Sequence, residues 1–212
     1  LSDSFPQFNM VGEEKGARFT GSEYTWIIDP LDGTSNYAAG IPWFGILIAL
    51  MFHDKPTAAG AYLPIYDDMY YAEVAKGATC NGKPIKVIRD LSMKEILMGY
   101  STDYAVDRMK TKFETDLFGD LISKVRNTRS TNSLLDFCYV ADGRFGGCIN
   151  HNTKIWDIAA PYLIIKEAKG RMSDLYGHDI QFDLSNTEMS YQVVASARHI
   201  HGEIIDIIRN HL

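Results

Sequence analysis

The sequence lacks the features of several large protein classes. It has three cysteines in 212 residues and no Cys-x-x-Cys pair, so unpaired thiols in a reducing compartment are expected and a disulfide framework is not. No run approaches the roughly 18 apolar residues that a membrane-spanning helix needs. No repeat and no low-complexity segment occurs. These absences favour a cytoplasmic protein with no membrane partner.

Positive charge is also scarce. The chain carries 21 Lys and Arg against 27 Asp and Glu, a formal net charge of −6. This balance argues against nucleic acid or an anionic membrane as the main partner. It is compatible with an anionic small molecule, because a bound cation can invert the local field. The 46% hydrophobic and 23% charged residues are typical of a globular protein with one sizeable core or two small ones.

The pattern of apolar residues changes near residue 89. Residues 1–21 are polar and predict a loop. The following part predicts an antiparallel meander, with strands at 24–28 (ending at Asp29-Pro30), 43–52, 58–62 and 68–74 and a hairpin turn at Asn81-Gly82. Later residues predict alternating strands and helices, at 96–100, 107–124, 133–142, 145–150, 158–168 (closed by Gly170), 192–197 and 204–212. We therefore predict an α+β protein with an α/β portion, in which residues 1–88 form the antiparallel-sheet portion and residues 89–212 the α/β portion of one compact unit.

Acidic residues stand out at three places in the chain. Glu13 and Glu14 lie in the N-terminal loop, Asp29 and Asp32 follow a predicted strand, and Asp157 lies at the head of a predicted helix. Mg²⁺ prefers hard oxygen ligands in octahedral geometry and usually takes a few carboxylates, waters and substrate phosphate. Two aspartates separated by a stiff Pro-Leu pair fit that need.

The residues after the second aspartate suit a phosphate. Gly33 lets the backbone approach a ligand closely, and a helix that begins near Thr34 would direct free N–H groups and its dipole to the same place. Each acidic residue taken alone has a plainer interpretation, since Asp32 and Asp157 fit helix caps and the two glutamates fit a solvated loop. Only the contexts taken together favour a metal site.

The segments around these carboxylates resemble the signatures of the inositol monophosphatase family. The members of this family are fructose-bisphosphatase-like, metal-dependent phosphatases. Residues 26–37 (Trp-Ile-Ile-Asp-Pro-Leu-Asp-Gly-Thr-Ser-Asn-Tyr) are similar to its first signature, and residues 155–160 followed by 167–170 are similar to its second. Residues 11–14 stand ahead of the first signature as in the family, and residues 76–85 are similar to its hairpin. The resemblance covers essentially the whole chain in the right order.

The resemblance implies a fold and a chemistry. The fold would be the layered αβαβα sandwich of the inositol monophosphatase and fructose-1,6-bisphosphatase type, and the protein would be a homodimer of a lithium-sensitive family. Family members carry two helices ahead of the Gly-Glu-Glu segment, so this chain, which begins at Leu1 without a signal-peptide pattern, is expected to lack that helix pair and to be part of a longer protein. The reaction would be in-line attack of water on a phosphate monoester, with two or three Mg²⁺ ions.

The resemblance also implies roles for individual residues. One ion would be held by Glu13, Asp29 and the Leu31 carbonyl, and a second by Asp29, Asp32 and Asp157. The catalytic residues would be Glu13, Asp29 and Thr34, with the Thr34 hydroxyl paired to Glu13 so that it orients the water or relays its proton. The backbone N–H groups of Gly33 and Thr34 would hold phosphate oxygens.

The match is weaker where the substrate would bind. The family often has Gly-Ser/Thr-Ala-Ala before its penultimate helix, whereas residues 131–134 are Thr-Asn-Ser-Leu, with Asn132 and Ser133 as candidate substrate-binding residues. Many inositol-phosphate hydrolases have a glutamate seven residues before the last metal aspartate, and here that residue is Asn150. An asparagine can bind hydroxyl groups but carries no charge, and a polar residue at a strand end is an equally good interpretation.

Several functions therefore stay open. An inositol monophosphate-like compound or a sugar phosphate is the first candidate substrate, and fructose 1,6-bisphosphate, a 3′-phosphorylated adenosine nucleotide or histidinol phosphate are others. A haloacid-dehalogenase-type phosphatase is rejected, because its nucleophilic aspartate would fall on Pro30. A non-catalytic binding or interaction protein on the same fold is the alternative of another class. His199, His201 and His211 fit a solvated helix face better than a metal cluster.

Overall fold

Two β-sheets dominate the computed structural model, which describes residue 1 and residues 3–212. The strands of the first sheet are β1 (Asn9–Gly12), β2 (Gly16–Arg18), β3 (Tyr24–Asp32), β4 (Gly45–Phe52), β5 (Lys55–Leu63), β6 (Asp68–Glu73), β7 (Gly77–Cys80) and β8 (Lys83–Ile85). They lie in the order β2-β1-β3-β4-β5-β6-β7-β8. From β3 to β8 each strand pairs antiparallel with the next, which is the predicted meander.

The hydrophobic pattern and the turns explain this sheet. Leu47, Ala49 and Met51 of β4 are buried and alternate with more exposed neighbours, as expected of a strand with one buried face. Asn81 and Gly82 both have positive φ, at 50° and 73°, which a tight two-residue hairpin turn between β7 and β8 requires.

The predicted N-terminal loop was wrong. Asn9–Gly12 pairs parallel with β3, and Gly16–Arg18 pairs antiparallel with β1. The segment is polar because β2 is exposed along its whole length and β1 buries only Asn9 and Val11. Edge strands of this kind give little hydrophobic signal, and their backbone pairing becomes visible only in the structure.

The second sheet belongs to the later half of the chain. Its strands are β9 (Leu97–Ser101), β10 (Asn127–Arg129), β11 (Gly147–Thr153), β12 (Gly170–Ser173) and β13 (Tyr191–Ala197), in the order β10-β9-β11-β13-β12. β9 pairs parallel with both β10 and β11, whereas β13 pairs antiparallel with β11 and β12. The carboxyl ends of β9, β10 and β11 therefore lie at one edge of this sheet.

Helices separate and cover the sheets. They are α1 (Thr34–Ala38), α2 (Arg108–Ile122), α3 (Leu134–Ala141), α4 (Ile155–Glu167) and α5 (Arg198–Arg209), with a 3-10 turn at Met93–Glu95. α4 packs against β3 to β7 of the first sheet and against β12 and β13 of the second. α5 packs on β12 and β13 and contacts α2. Within the described residues the layers are sheet, helices, sheet and helices, which is the predicted sandwich without its N-terminal helix pair.

Two details of the later half differ from expectation. α4 ends through Lys169, which has a φ of 73°, and Gly170 instead begins β12. A Cβ on Gly170 would lie 2.7 Å from side-chain atoms of Ile165 and Val87, so packing explains this glycine. His201 is not solvated as predicted, because it is buried between the hydroxyl groups of Ser173 and Ser196, at 2.9 and 2.7 Å.

The helices are all short. α2, with 15 residues, is the longest, and none of the helices in the described part of the chain is long and apolar enough to cross a membrane. The eight strands of the first sheet lie before residue 89 and the five of the second lie after it. Because α4 of the later half packs on the first sheet, we propose that the predicted portions 1–88 and 89–212 form one unit.

Candidate metal centre

The strand that carries the first two carboxylates contains a bulge. β3 continues through Asp32 and does not end at Asp29-Pro30 as predicted. Its pairing with β4 shifts register between Asp29 and Asp32. Pro30 has no N–H to donate, and a bulge is one of the few places where a strand tolerates proline. Residues three apart face opposite sides of a regular strand, so the bulge is what allows both aspartates to face the same cleft.

A tight turn follows the bulge. Gly33 has a φ of 79°, and a Cβ there would lie 2.5 Å from the carbonyl oxygen of Trp43. Only glycine fits both the conformation and the space. The turn leads directly into α1 at Thr34, where the sequence predicted a helix to open. Gly33 and Thr34 line the same cleft as the carboxylates.

Two of the carboxylates also cap helices. Asp157 Oδ2 accepts a hydrogen bond from the Lys154 N–H at 2.6 Å, at the start of its own helix α4. Asp32 Oδ2 accepts one from the Leu134 N–H at 2.6 Å, at the first residue of the distant helix α3. A carboxylate that accepts one N–H keeps acceptor capacity for a cation. Capping and metal binding are thus compatible here, and the caps fix the carboxylates in place.

Three carboxylates meet in the cleft between the sheets. Ligand oxygens of Asp29, Asp32 and Asp157 lie within 4.8 Å of one another. Asp29 is the deepest, with 2% of its surface exposed, and the other two are half-buried. Asp29 Oδ1 accepts a hydrogen bond from the Leu31 N–H at 2.9 Å, which orients its carboxylate and keeps Leu31 at the lining.

Burial and mutual repulsion raise the pKa of all three carboxyl groups. Burial is the largest cause for Asp29, whose pKa rises to about 7 with further contributions from the charges of Glu13 and Asp157. Burial likewise raises the pKa of Asp157 to about 7, and the charge of Glu13 adds to it. The pKa of Asp32 is raised well above its ordinary value by burial and by the charge of Asp157. Such a cluster favours either protons or a cation.

Glu13 and Thr34 are close to this group without completing it. Glu13 lines the cleft from an exposed position, and it is not one of the three clustered ligands. The Glu13 carboxylate lies near Asp29 and raises the pKa of Asp29. Within the described part of the chain, Glu13 makes no hydrogen bond to the Thr34 hydroxyl. The implied pair of Glu13 and Thr34 is therefore not formed in this structure. Glu14 is exposed and lines a separate groove, as its solvated interpretation requires.

The opposite wall of the cleft comes from the second sheet. Asn132, Ser133 and Asn150, the three candidate substrate-binding residues, all line it. Asn132 has a left-handed φ of 49°, and Ser133 caps α3 by accepting from the Leu135 N–H at 3.4 Å. Asn150 Oδ1 accepts a hydrogen bond from the Asn152 N–H at 3.0 Å. Asn150 therefore has a local structural role as well as a place in the lining.

Sequence reasoning missed other residues of this wall. Asp103, Phe137, Asn152 and Thr153 also line the cleft. Asp103 follows the carboxyl end of β9, and Asn152 lies near the carboxyl end of the neighbouring strand β11. Ligands of α/β proteins commonly bind at the carboxyl ends of parallel strands, so polar residues just past the predicted strands were the available signal.

The donor set fits a hard divalent cation. Its candidate ligands are oxygens of clustered carboxylates, and the cluster of described residues contains neither cysteine nor histidine. Such ligands suit Mg²⁺, Ca²⁺ or Mn²⁺ better than thiophilic metals. The cation would also relieve the repulsion that raises the three pKa values. Together with a glycine turn at a helix start, these residues suit the metal-dependent hydrolysis of a phosphate ester.

Comparison with known proteins leads to the same class. The model of the inositol monophosphatase family matches residues 1–212. A fructose-1,6-bisphosphatase/inositol-1-monophosphatase from Aquifex aeolicus is 34% identical, over 98% of this chain and 75% of its own. A protein of Neisseria meningitidis named putative Nus factor SuhB is 33% identical, over 100% of this chain and 79% of its own. The solved inositol monophosphatase from Anabaena superposes with a TM-score of 0.87 at 28% identity, over 99% of this chain and 81% of that one.

The chain belongs to the inositol monophosphatase family. Its fold is the layered α/β sandwich of that family, and it is a phosphoric monoester hydrolase of a metal-dependent group.

Proposed function

We propose that this protein is a Mg²⁺-dependent phosphatase that hydrolyses a phosphate monoester of a small soluble metabolite. The observation that carries the proposal is the trio of Asp29, Asp32 and Asp157, with oxygens within 4.8 Å of one another in a cleft between the sheets. The relatives named for inositol monophosphatase activity support the reaction class. An inositol phosphate-like compound or a sugar phosphate is the favoured substrate.

Each residue near the trio has a part in the proposed reaction. Glu13, Asp29, Asp32, Asp157 and the Leu31 carbonyl would hold two or three Mg²⁺ ions. The bound ions would supply an acidified water and neutralise charge on the phosphate. The chain's own contribution is positioning, which supplies most of the catalysis in phosphoryl transfer.

The turn after the bulge would hold the phosphate and the water. The backbone N–H groups of Gly33 and Thr34 would donate to phosphate oxygens, as donors at a helix start do. Glu13 and the Thr34 hydroxyl would orient the attacking water and accept its proton. In-line attack then releases the alcohol toward the wall of Asn132, Ser133 and Asn150 without a covalent intermediate.

Phosphate release tests the proposal directly. The protein is incubated with inositol 1-phosphate, fructose 1-phosphate, fructose 1,6-bisphosphate and adenosine 3′,5′-bisphosphate, with Mg²⁺ or with EDTA. We expect release from at least one monoester in Mg²⁺ and none in EDTA. Asp29→Asn serves as the control for a contaminating phosphatase, since activity that survives this change belongs to another protein. No release from any of these compounds in Mg²⁺ would contradict the proposal.

The same assay separates a second function. One relative is named a putative Nus factor, so a protein that binds partners on this fold without turnover is the alternative. Such a protein would keep its fold and release no phosphate in Mg²⁺. Nucleic acid is not an expected ligand, because the net charge is −6.

We further propose a cytoplasmic homodimer. Cys138 and Cys148 are buried free thiols, and Cys80 is also unpaired, which suits a reducing compartment. The dimer rests on the resemblance to the family. Light scattering at micromolar concentration should give twice the monomer mass, and a stable monomer would contradict the dimer without touching the catalytic proposal.

A further inference from the structure

We infer that Asp103 is a specificity-determining residue that makes the leaving-group side of the cleft reject substrates with a second anionic group. The inference rests on the proposed phosphatase function, and it narrows the substrate class to monoesters whose alcohol is neutral or cationic. None of the sequence motifs points to this residue.

Asp103 is held in place by two amides of the same wall. Its Oδ1 accepts a hydrogen bond from Asn132 Nδ2 at 2.8 Å, and its Oδ2 accepts a longer one from Asn152 Nδ2 at 3.5 Å. Each carboxylate oxygen has two lone pairs, so acceptor capacity remains for a ligand hydroxyl. The contacts come from two different segments of the chain, and they fix the carboxylate at the lining of the cleft.

The strand register explains why Asp103 is on this wall. β9 and β11 are parallel neighbours, with Ser101 opposite Asn150. Asp103 lies two residues beyond Ser101, and Asn152 lies two residues beyond Asn150. The acidic group that is absent at position 150 is thus present just past the end of the adjacent strand, and it stands outside the trio of clustered ligands.

Among the described residues that line the cleft with Asp103, none is lysine or arginine. Lys110 of α2 instead pairs with Glu114 Oε1 at 3.7 Å. Arg129 lines a neighbouring pocket, where its guanidinium donates to Asn127 Oδ1 at 2.9 Å and to the Thr128 carbonyl at 2.7 Å. The Lys154 ammonium donates to the Glu188 carbonyl.

The charge pattern separates two kinds of alcohol. The transferred phosphate would be attracted by cations held at the carboxylate trio, and Asp103 lines the same cleft outside that trio. A second phosphate or a carboxylate on the alcohol would instead meet Asp103 with no counter-charge, and like charges in a partly desolvated cleft repel. A hydroxyl can donate to Asp103 and a protonated amine can pair with it. Neutral polyols and amino alcohols are therefore accepted.

A matched pair of substrates tests the inference. Fructose 1-phosphate and fructose 1,6-bisphosphate present the same ester and differ by one phosphate group. The ratio of their kcat/KM values is measured in saturating Mg²⁺ for the native protein, Asp103→Asn and Asp103→Lys. Asp54→Asn and Asp54→Lys are the controls, because they make the same change of net charge in the exposed turn after β4.

We expect the native protein to favour the monophosphate. Asp103→Asn should shift the ratio toward the bisphosphate about tenfold, which corresponds to about 1.4 kcal/mol, mainly through KM. Asp103→Lys should shift it further, and added salt should reduce both shifts. The Asp54 variants should stay within about twofold of the native ratio. Ratios for the Asp103 variants that match those of the Asp54 variants would overturn the inference.

The inference and the proposed function fail in different ways. If no phosphate is released from either sugar, the phosphatase proposal fails. The charge filter is then decided by calorimetry, with Ca²⁺ in place of Mg²⁺ and the same two sugars as ligands. Tighter binding of the monophosphate that Asp103→Asn abolishes supports the filter. Equal binding of both sugars by the native protein overturns it.

Discussion

The two walls of the cleft are built in opposite ways. The metal wall takes Asp29, Asp32 and the turn at 33–34 from one continuous stretch of chain, and Glu13 and Asp157 join it from other segments. Its carboxylates are crowded and shielded from water, so their pKa values are raised. The geometry is set locally, by a bulge at a proline and a glycine that cannot be replaced.

The leaving-group wall has no such continuous stretch. It assembles Asp103, Asn132 and Asn150 from three segments that the second sheet brings together. Its neutral amides bind neighbours in the same wall: Asn132 donates to the Asp103 carboxylate, and Asn150 Oδ1 accepts from the Asn152 backbone N–H. From this difference we expect one wall to supply the charge for the proposed reaction and the other to select the alcohol. Changes to the first should therefore affect kcat, and changes to the second should affect KM.

The largest effect is expected from Asp29→Asn on the metal wall. The change removes charge from the deepest ligand of the trio while keeping its shape. Since metal ions supply several kcal/mol of transition-state stabilisation, we expect kcat to fall by about a thousandfold or more. Glu14→Gln, at an exposed position nearby, should change kcat by less than about twofold. Steady-state phosphate release measures both variants, and similar losses in the two would mean that the metal loop is assigned wrongly.

The raised pKa values of the metal wall predict a loss of stability as the pH rises. Carboxyl groups whose pKa is near 7 when folded and about 4 when unfolded bind protons more tightly in the folded state. The destabilisation caused by ionising these groups in the folded state is absent below about pH 4. It grows as the pH rises from about 4 to about 7 and is complete above about 7. In EDTA these groups should therefore lower the melting temperature between pH 5 and pH 8. The buried Asp136, whose pKa is raised to about 6, adds to that fall, and the buried His151 and His201, whose pKa values are lowered to about 4, oppose it.

Mg²⁺ should reverse that loss. Binding at 100 times the dissociation constant stabilises the folded state by about 2.7 kcal/mol, or about 5–10 °C for a chain of this size. Differential scanning fluorimetry at pH 8, with Mg²⁺ or EDTA, gives the shift. Asp29→Asn should lose most of the Mg²⁺ shift and part of the pH dependence, since Asp32 and Asp157 keep raised pKa values, whereas Asp103→Asn should keep most of both. A native protein with the same melting temperature in Mg²⁺ and EDTA would show that the trio is not a metal site.

The contrast between the walls also explains what the sequence could predict. The hydrophobic alternation of β4 and the Asn81-Gly82 turn are local signals, and both elements were predicted. The metal carboxylates could be named because Asp29 and Asp32 belong to one short motif. The bulge could not be predicted, since a proline after a β-rich run indicates the end of a strand unless the pairing with β4 is known.

The leaving-group wall was harder to predict for a physical reason. Asp103 is brought to the cleft by the parallel pairing of β9 and β11, and its carboxylate is held there by the amides of Asn132 and Asn152. These are contacts between segments distant in sequence, and no spacing within one segment encodes them. His201 shows the same limit, because the hydroxyl groups that bury it come from two strands of the second sheet.

The smallest effect is expected from changes at Asn150, and these changes test whether the leaving-group wall selects the substrate. Asn150 lines the cleft outside the trio, so Asn150→Ala should raise KM or shift substrate preference with kcat nearly kept, as loss of a uniform binding contact does. One neutral hydrogen bond is worth roughly 0.5–1.5 kcal/mol, about two- to twelvefold in KM. Its carbonyl also accepts from the Asn152 N–H, so Asn150→Asp, which keeps that acceptor, separates the local fold from substrate contact. A large loss of kcat at constant KM would mean that Asn150 takes part in the chemical step, and no effect on any substrate would leave it a polar residue at a strand end.

Asn150→Glu is the sharper test of the same position. Inositol monophosphate turnover that appears only in this variant would show that the lack of a carboxylate at position 150 prevents the native protein from using that substrate.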